Sequence, residues 1–446
     1  MRNNRKFQHD RLMIFGRYPV PGRVKTRLIP TIGPAGAADL QRRLTEKTLG
    51  VAKVFALHRG IDVEVCFEGG SERKMRRWLG SGVSLSCQVP GDLGMRMYVA
   101  FLAAFQSGCR RVILIGTDIP ELKINHLGQA FDALTENDLV IGPSTDGGYW
   151  LIGLNRPANL FQGIKWGTGA AFGQTLDLAN EHGLMVEKLD SLTDIDTAED
   201  LKQLAPEWAG KRPYVSVIIP TLNEEENIEA TIRSALNEDV EIIVEDGGSS
   251  DDTVARAMRA GVRVEMGSRG RALQQNRGAI SARGRVLLFL HGDSRLPRDY
   301  INHVFETLMD IETVAGAFRF KTNLDNPLMK VIEIMTNIRS QHLKLPYGDQ
   351  GLFIRKSVFE SVRGFPEVPI AEDLFLVRRL SKKGRIRVAP VHVVTSARRW
   401  QTLGQLRTTL INQVILAGCF LGISPSTLAA LHKVSRIKNG YGKVNP

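Results

Sequence analysis

Cysteine is scarce in this chain of 446 residues: Cys66, Cys87, Cys109 and Cys419 are all there are, and no two stand at zinc-finger or redox-dithiol spacing. This excludes a disulfide framework or a thiolate metal cage and fits a reducing cytoplasm. Long hydrophobic runs are also missing. Val414 to Ile423, the longest near the end, is about half of the roughly 20 residues that a bilayer span requires. The opening MRNNRKFQHDRLMIFG lacks the apolar centre and small-residue cleavage site of a signal peptide, so secretion is not expected. Aromatic residues make up only 7% and do not interleave with a basic stripe, so no nucleic-acid partner is expected. A Walker phosphate loop is absent as well.

What remains is the composition of an ordinary globular protein, 43% hydrophobic and 24% charged, at a length suited to two domains. The net charge of +12 is uneven. Residues 1–210 carry 25 Lys and Arg against 23 Asp and Glu, and the remainder carries 34 against 24. A basic second half suits a phosphorylated small substrate or an anionic membrane face.

Each half opens with a β-rich run that enters a turn and then a helical pattern. The first half offers RLMIFGRYPVPG (11–22), DVEVCF (62–67), RRVILIGTDIP (110–120) and DLVIGPSTDGGYWLIGL (138–154), with helical stretches at 35–57 and 125–135. The second restarts with YVSVIIPTLNEEENI (214–228), followed by EIIVEDGGSSDDT (241–253) and GRVLLFLHGDSRLP (284–297). Between them APEWAGKRP (205–213) reads as a linker. The expected domains are therefore 1–208 and 209–446.

The runs VSVII, EIIVE and VLLFL are continuously apolar, as in strands covered on both faces by helices. Ligands of such sheets bind at the carboxyl ends of the strands. That rule gathers Pro220 to Glu224, Asp246 to Asp251 and His291 to Asp293 around one crevice. A carboxylate after one strand can meet a base or ribose, and one after a neighbouring strand can hold a metal that bridges two phosphates.

These motifs, with LPYGDQGLFIRKSVFESVRGFPEVPIAEDLFLVRRL (345–380) further along, resemble family 2 inverting glycosyltransferases. GDQGLFIR, AEDLFLVRRL and the SARRW box (396–400) are similar to the branch known as arsenosugar-biosynthesis or selenodomain-associated transferases. The resemblance covers about residues 214–430. It implies a GT-A fold, a nucleotide-sugar donor and a divalent cation, Mg²⁺ or Mn²⁺. It also implies Asp246 on the nucleoside, Asp293 on the metal, and Asp373 of the Glu372–Asp373 pair as general base. Pro220, Glu224, Arg271, Arg398 and Arg399 join the donor side, the arginines supplying positive charge opposite the leaving diphosphate. One departure stands out: where the fuller DxD motif has two carboxylates, this chain reads His291-Gly292-Asp293. Histidine suits manganese better than magnesium. His291 could equally be a hydrogen-bonded ring at the strand end, and the aromatic of the SARRW box a core residue.

In the first half GRYPVPGRVKTRL (16–28) places Gly22, Lys25 and Arg27 after the first strand, as a polyphosphate clamp would need. Asp118 follows another strand, Asp146 precedes Gly147 and Gly148, and Asp194 and Asp196 precede a helix start. Asp118 and Asp196 are the candidate metal ligands. These motifs, over about residues 11–205, resemble a bacterial family related to sugar-nucleotide and cofactor nucleotidyltransferases, which implies a second Rossmann-like GT-A domain in tandem. Such a domain would either join an NTP to a sugar phosphate with release of pyrophosphate, or bind a finished nucleotide sugar. Asp194, Asp196 and Asp251 read equally well as helix caps, and Lys25 and Arg27 as a solvated face. The expectation is a two-domain glycosyltransferase acting on a small-molecule or lipid acceptor. A non-catalytic first domain stays open, as does peripheral contact with the inner membrane face through 403–431.

Overall fold

The apolar runs become the centres of two sheets in a computed structural model that describes residues 9–208 and 212–437. The chain divides into two units, Met1–Lys211 and Arg212–Pro446. The first holds β1 (His9–Arg17), β2 (Asp62–Glu68), β3 (Ser84–Cys87), β4 (Cys109–Ile115), β5 (Leu139–Pro143), β6 (Tyr149–Leu154) and β7 (Val186–Lys188), in the order β3-β2-β1-β4-β6-β5-β7. Strands β1 to β4 pair in parallel, whereas β6 runs antiparallel between β4 and β5.

The Pro34–Arg59 helix starts with proline in its first turn and stops at Gly60 in the left-handed conformation, the ends at which those residues cost least. Its Leu40 and Leu44 pack against Ile195, Leu201 and Trp208. The expected linker therefore begins later than its composition implied. Pro206–Trp208 is a short 3-10 turn whose tryptophan is buried in the first unit's core. The rest of that stretch up to 211 lies outside the described residues.

The second unit holds β8 (Val215–Thr221), β9 (Val240–Asp246), β10 (Arg263–Met266), β11 (Val286–Phe289), β12 (Ser294–Arg295), β13 (Thr313–Thr322), β14 (Leu352–Arg355) and β15 (Arg385–Thr395), ordered β10-β9-β8-β11-β14-β13-β15-β12. The three runs read as covered parallel strands are β8, β9 and β11, and all are buried. Both units follow one plan: four parallel strands, then a reversal, made by β6 in the first and β14 in the second. The reversal opens the crevice. Phe289 of β11 pairs with Leu352 of β14, so the residues just after β11 and just before β14 emerge at the same sheet edge. Buried Gln274 closes the floor, its Nε2 donating to the carbonyls of Thr221 (2.9 Å) and Glu245 (2.7 Å).

Candidate active site

At the end of β9 the Asp246 carboxylate is fully buried and organises the turn that follows. It accepts from the backbone N–H groups of Gly248 and Ser249, both at 2.8 Å, and from the Ser249 hydroxyl at 2.5 Å. Gly248 takes a positive φ of 91° to allow this. Asn223 then ties the β8 and β9 loops together, accepting from Ser250 N at 2.9 Å and donating its own N–H to Ser249 Oγ at 2.9 Å. In this arrangement Asp246 holds the loop, while Pro220, Thr221, Leu222 and Glu224 border the crevice. Asp251 accepts from Thr253 N and Glu225 N in a turn, and the helix-cap position falls one residue later, on Asp252.

At the end of β11, His291 and Asp293 are half-buried and line the same crevice. Burial, aided by the Arg271 charge, pushes the imidazole down to about 3, so the ring is neutral at ordinary pH. Its Nε2 is enclosed and has no hydrogen-bond partner among the described residues. Asp293 is held above the usual carboxylate range by burial and then by the charge of Glu224, against the pull of Arg398. Glu224 in turn receives Arg398 Nη2 at 2.7 Å.

The opposite wall is built by the Glu372–Ser381 helix, entered through Ala371 in the left-handed conformation. Glu372 is buried, and that burial raises its pKa although Arg271 lies 3.2 Å away. Asp373 accepts the Gly348 N–H at 2.7 Å. A side chain at position 348 would meet His291 Nε2 at 3.1 Å and Asp373 Oδ2 at 3.3 Å, so glycine lets the two walls approach each other.

Next to it stands a residue not singled out from sequence. Asp349 is pushed up to about 6 by burial, opposed mainly by Arg339, and its Oδ1 is enclosed without a hydrogen-bond partner among the described residues. Arg339 itself lies 3.5 Å over the Tyr347 ring. Bracketing by two glycines directly before an apolar strand was the available signal for Asp349.

The crevice has a volume of about 910 Å³ and is closed at the far side by Trp400, Asn412, Ile415 and Leu416. Trp400 also packs on Phe320 in the core, and Arg399 lines the opening. Among the described residues no three His, Cys, Asp or Glu side chains converge as a metal-binding group. The donors present nevertheless fit a cation of the magnesium or manganese type, which is commonly held by one or two carboxylates together with substrate phosphates. Asp293, penalised for its negative charge, and the unpartnered His291 Nε2 are such donors.

In the first unit Lys25 has a positive φ of 48° and a side chain only 3% exposed. Its Nζ lies 3.1 Å from both Asp118 Oδ1 and Asp196 Oδ1, and Arg27 Nη1 lies 3.2 Å from Asp196 Oδ2. The two carboxylates expected to bind a metal thus share the Lys25 ammonium, and neither that lysine nor Asp196 is a mere solvated face or cap. Burial works to lower the Lys25 pKa, but the two carboxylates hold it above its ordinary value. Asp194 accepts from Ser144 Oγ at 2.9 Å, and burial raises its pKa. Asp146 accepts the Gly148 N–H at 2.9 Å, forming a turn in which Gly147 has a φ of 86° and closely faces the Gly169 backbone. Gly22 sits in the β1 loop, also with positive φ.

Residues 216–362 match the glycosyl transferase family 2 model, and residues 51–168 match uncharacterised proteins conserved in bacteria (DUF2064). Over 190 residues the chain is 26% identical to the glycosyltransferase AglE of Haloferax volcanii, an alignment covering 39% of this chain and 62% of AglE, less than two thirds of that protein. A solved protein of Desulfovibrio desulfuricans G20, described as a nucleotide-diphospho-sugar transferase, is 34% identical, covering 44% of this chain and 86% of its own, with a TM-score of 0.41. A mannosyltransferase of Pyrobaculum calidifontis, solved with GDP-Man and Mn²⁺, is 18% identical over 53% of this chain and 77% of its own, with a TM-score of 0.36. The second unit carries a family 2 glycosyltransferase domain. The two units are tandem α/β domains, each built on a mixed sheet.

Proposed function

We propose that the second unit transfers a sugar, with inversion, from a nucleoside diphosphate sugar to an acceptor hydroxyl. One observation carries the reading: a crevice of about 910 Å³ has Asp293 on the nucleotide wall and Glu372 with Asp373 on the opposite wall, and Arg271 reaches across between them. That volume is within the usual range for small-molecule sites. Asp373 takes the acceptor proton as its oxygen bonds to the anomeric carbon. The carbon–oxygen bond to the diphosphate breaks, and its electron pair leaves on the phosphate oxygen. Arg271, with Arg398 and Arg399, offsets the charge that develops there. The loop held by Asp246 shapes the nucleoside pocket beside Pro220 and Glu224. Asp293 and His291 would hold a divalent cation, which when bound supplies further positive charge to the diphosphate.

The first unit, with Lys25, Arg27, Asp118 and Asp196 gathered beyond its strands, binds or makes the nucleotide sugar in this reading. Calorimetry of UDP- and GDP-sugars with Mn²⁺ tests the donor site directly. Saturable binding by the intact chain, weakened in Asp293→Ala, is the expected outcome, and the absence of heat with every donor would remove the proposal.

A further inference from the structure

The Pro327–His342 helix buries Met329 and Ile332 against Phe320 and Trp400, yet its outward face is also apolar. Leu328, Val331, Ile334, Met335 and Ile338 are 38–63% exposed and recur at helical spacing along one stripe. The neighbouring Gln405–Phe420 helix repeats the pattern. Its inner side gives Asn412, Ile415 and Leu416 to the crevice, while Leu406, Leu410 and Val414, spaced by four, are 54–69% exposed. A helix apolar on both sides is normally covered on both. Two adjacent stripes of this kind mark an interaction surface.

Charge says what covers it. From residue 374 to the end the sequence has 13 Lys and Arg and not one Asp or Glu, and of these Arg385, Arg387 and Arg398 pair with Glu312, Asp310 and Glu224 from earlier in the chain. Among these cations Arg378 lies over the ring of exposed Phe420, at the end of the second stripe. Lys344, exposed, stands beyond the end of the first stripe, and exposed Lys330 at its start pairs with Asp325 at 2.8 Å. Apolar stripes edged by cations suit an anionic bilayer face, where apolar side chains enter the headgroup boundary and cations meet lipid phosphates. Among the described residues no helix is long and apolar enough to cross a membrane. The stripes would lie on the bilayer and not through it.

We infer that these two helices dock the chain on an anionic membrane surface and that the acceptor is membrane-borne, reaching the crevice past Ile415 and Leu416. The acceptor part rests on the glycosyl-transfer reading; the docking part does not. The test is flotation of the full chain with phosphatidylcholine vesicles, with and without phosphatidylglycerol, at low and high salt. Met335→Glu and Leu410→Glu replace exposed side chains, and circular dichroism and thermal melts check that each variant folds. The expected result is flotation only with phosphatidylglycerol, weakened by salt and reduced roughly tenfold or more in each variant. A chain that stays in solution with anionic vesicles, or variants that float like the parent, would overturn the inference. So would a dimer in sedimentation that both variants dissociate, because a second copy would then cover the stripes. Donor hydrolysis measured without vesicles separates the two readings: flotation without any hydrolysis supports docking while removing glycosyl transfer.

Discussion

Arg271 Nη1 lies 3.2 Å from Glu372 Oε1, joining the first residue of the Arg271–Ser281 helix to the first residue of the Glu372–Ser381 helix across the crevice. The arginine side chain is 56% exposed and the glutamate 6%, so an incoming diphosphate can compete for the guanidinium from the open side. Arg271→Ala should lower kcat/KM for the donor by roughly 10²-fold, the usual scale for losing one preorganised donor to developing charge. Arg271→Lys should recover part of it, keeping the charge but not the planar fork. Steady-state release of nucleoside diphosphate measures both, and an alanine variant with parental kcat/KM would take Arg271 out of the reaction.

Glu245 gives the second unit a pH dependence. Its side chain is fully enclosed, accepts from Arg277 Nε at 3.1 Å and stands opposite Glu265 on β10. Burial, with the neighbouring Glu265, pushes it up to about 7 from 4.5. An acid with a raised folded pKa holds its proton in the native state after the unfolded chain has lost it. Stability should therefore fall as pH rises from about 4.5 to about 7, by at most ~3 kcal/mol. Glu245→Gln should flatten that decline and raise Tm at pH 8 with little change at pH 4.5. Parallel melting curves for parent and variant across this range would contradict the assignment.

Lys25 behaves in the opposite sense. Its folded pKa lies above 10.5, so the stability it contributes is present at neutral pH and is lost as pH rises through the folded value. Lys25→Met should destabilise the first unit by about 1–3 kcal/mol at pH 7, the lower end being favoured because Asp118 and Asp196 reach solvent. The gap between parent and variant should narrow above pH 10.5 in thermal melts. A gap that is constant across pH would show that packing, and not charge, holds Lys25 in place.

Gly348 separates His291 from Asp373. Gly348→Ala should reduce kcat about tenfold or more by displacing Asp373, the proposed base, since small misplacements at a reacting centre are costly, while Tm shifts by only a few degrees. Comparing kcat with the melting midpoint checks this; a large Tm loss with unchanged kcat would assign the glycine to stability alone.

Much of this arrangement was legible because strand ends obey a general rule. The runs VSVII and VLLFL announce covered strands, so the sequence alone gathers Glu224, His291 and Asp293 at one edge. The reversals made by β6 and β14 were not legible, since apolar runs do not say which distant strand they will pair with or in which direction. Asp349 was lost for that reason: its place beside His291 depends on β14 pairing antiparallel with β11, more than 60 residues away in sequence. The sequence motif points Asp246 at a nucleoside, but Gly248 and Ser249 take up its oxygens, a turn geometry that composition does not reveal. The Lys25 contact with Asp118 and Asp196 likewise joins segments about 90 and 170 residues away.

Glycosyl transfer by the second unit is tested most directly by incubating the full chain with a panel of nucleoside diphosphate sugars and Mn²⁺ and measuring the nucleoside diphosphate released. The expected result is release from at least one donor, reduced by roughly 10²-fold or more in both Asp293→Ala and Asp373→Asn, in keeping with loss of a charge-stabilising or proton-transfer group. No release from any donor, or full activity in both variants, would contradict it.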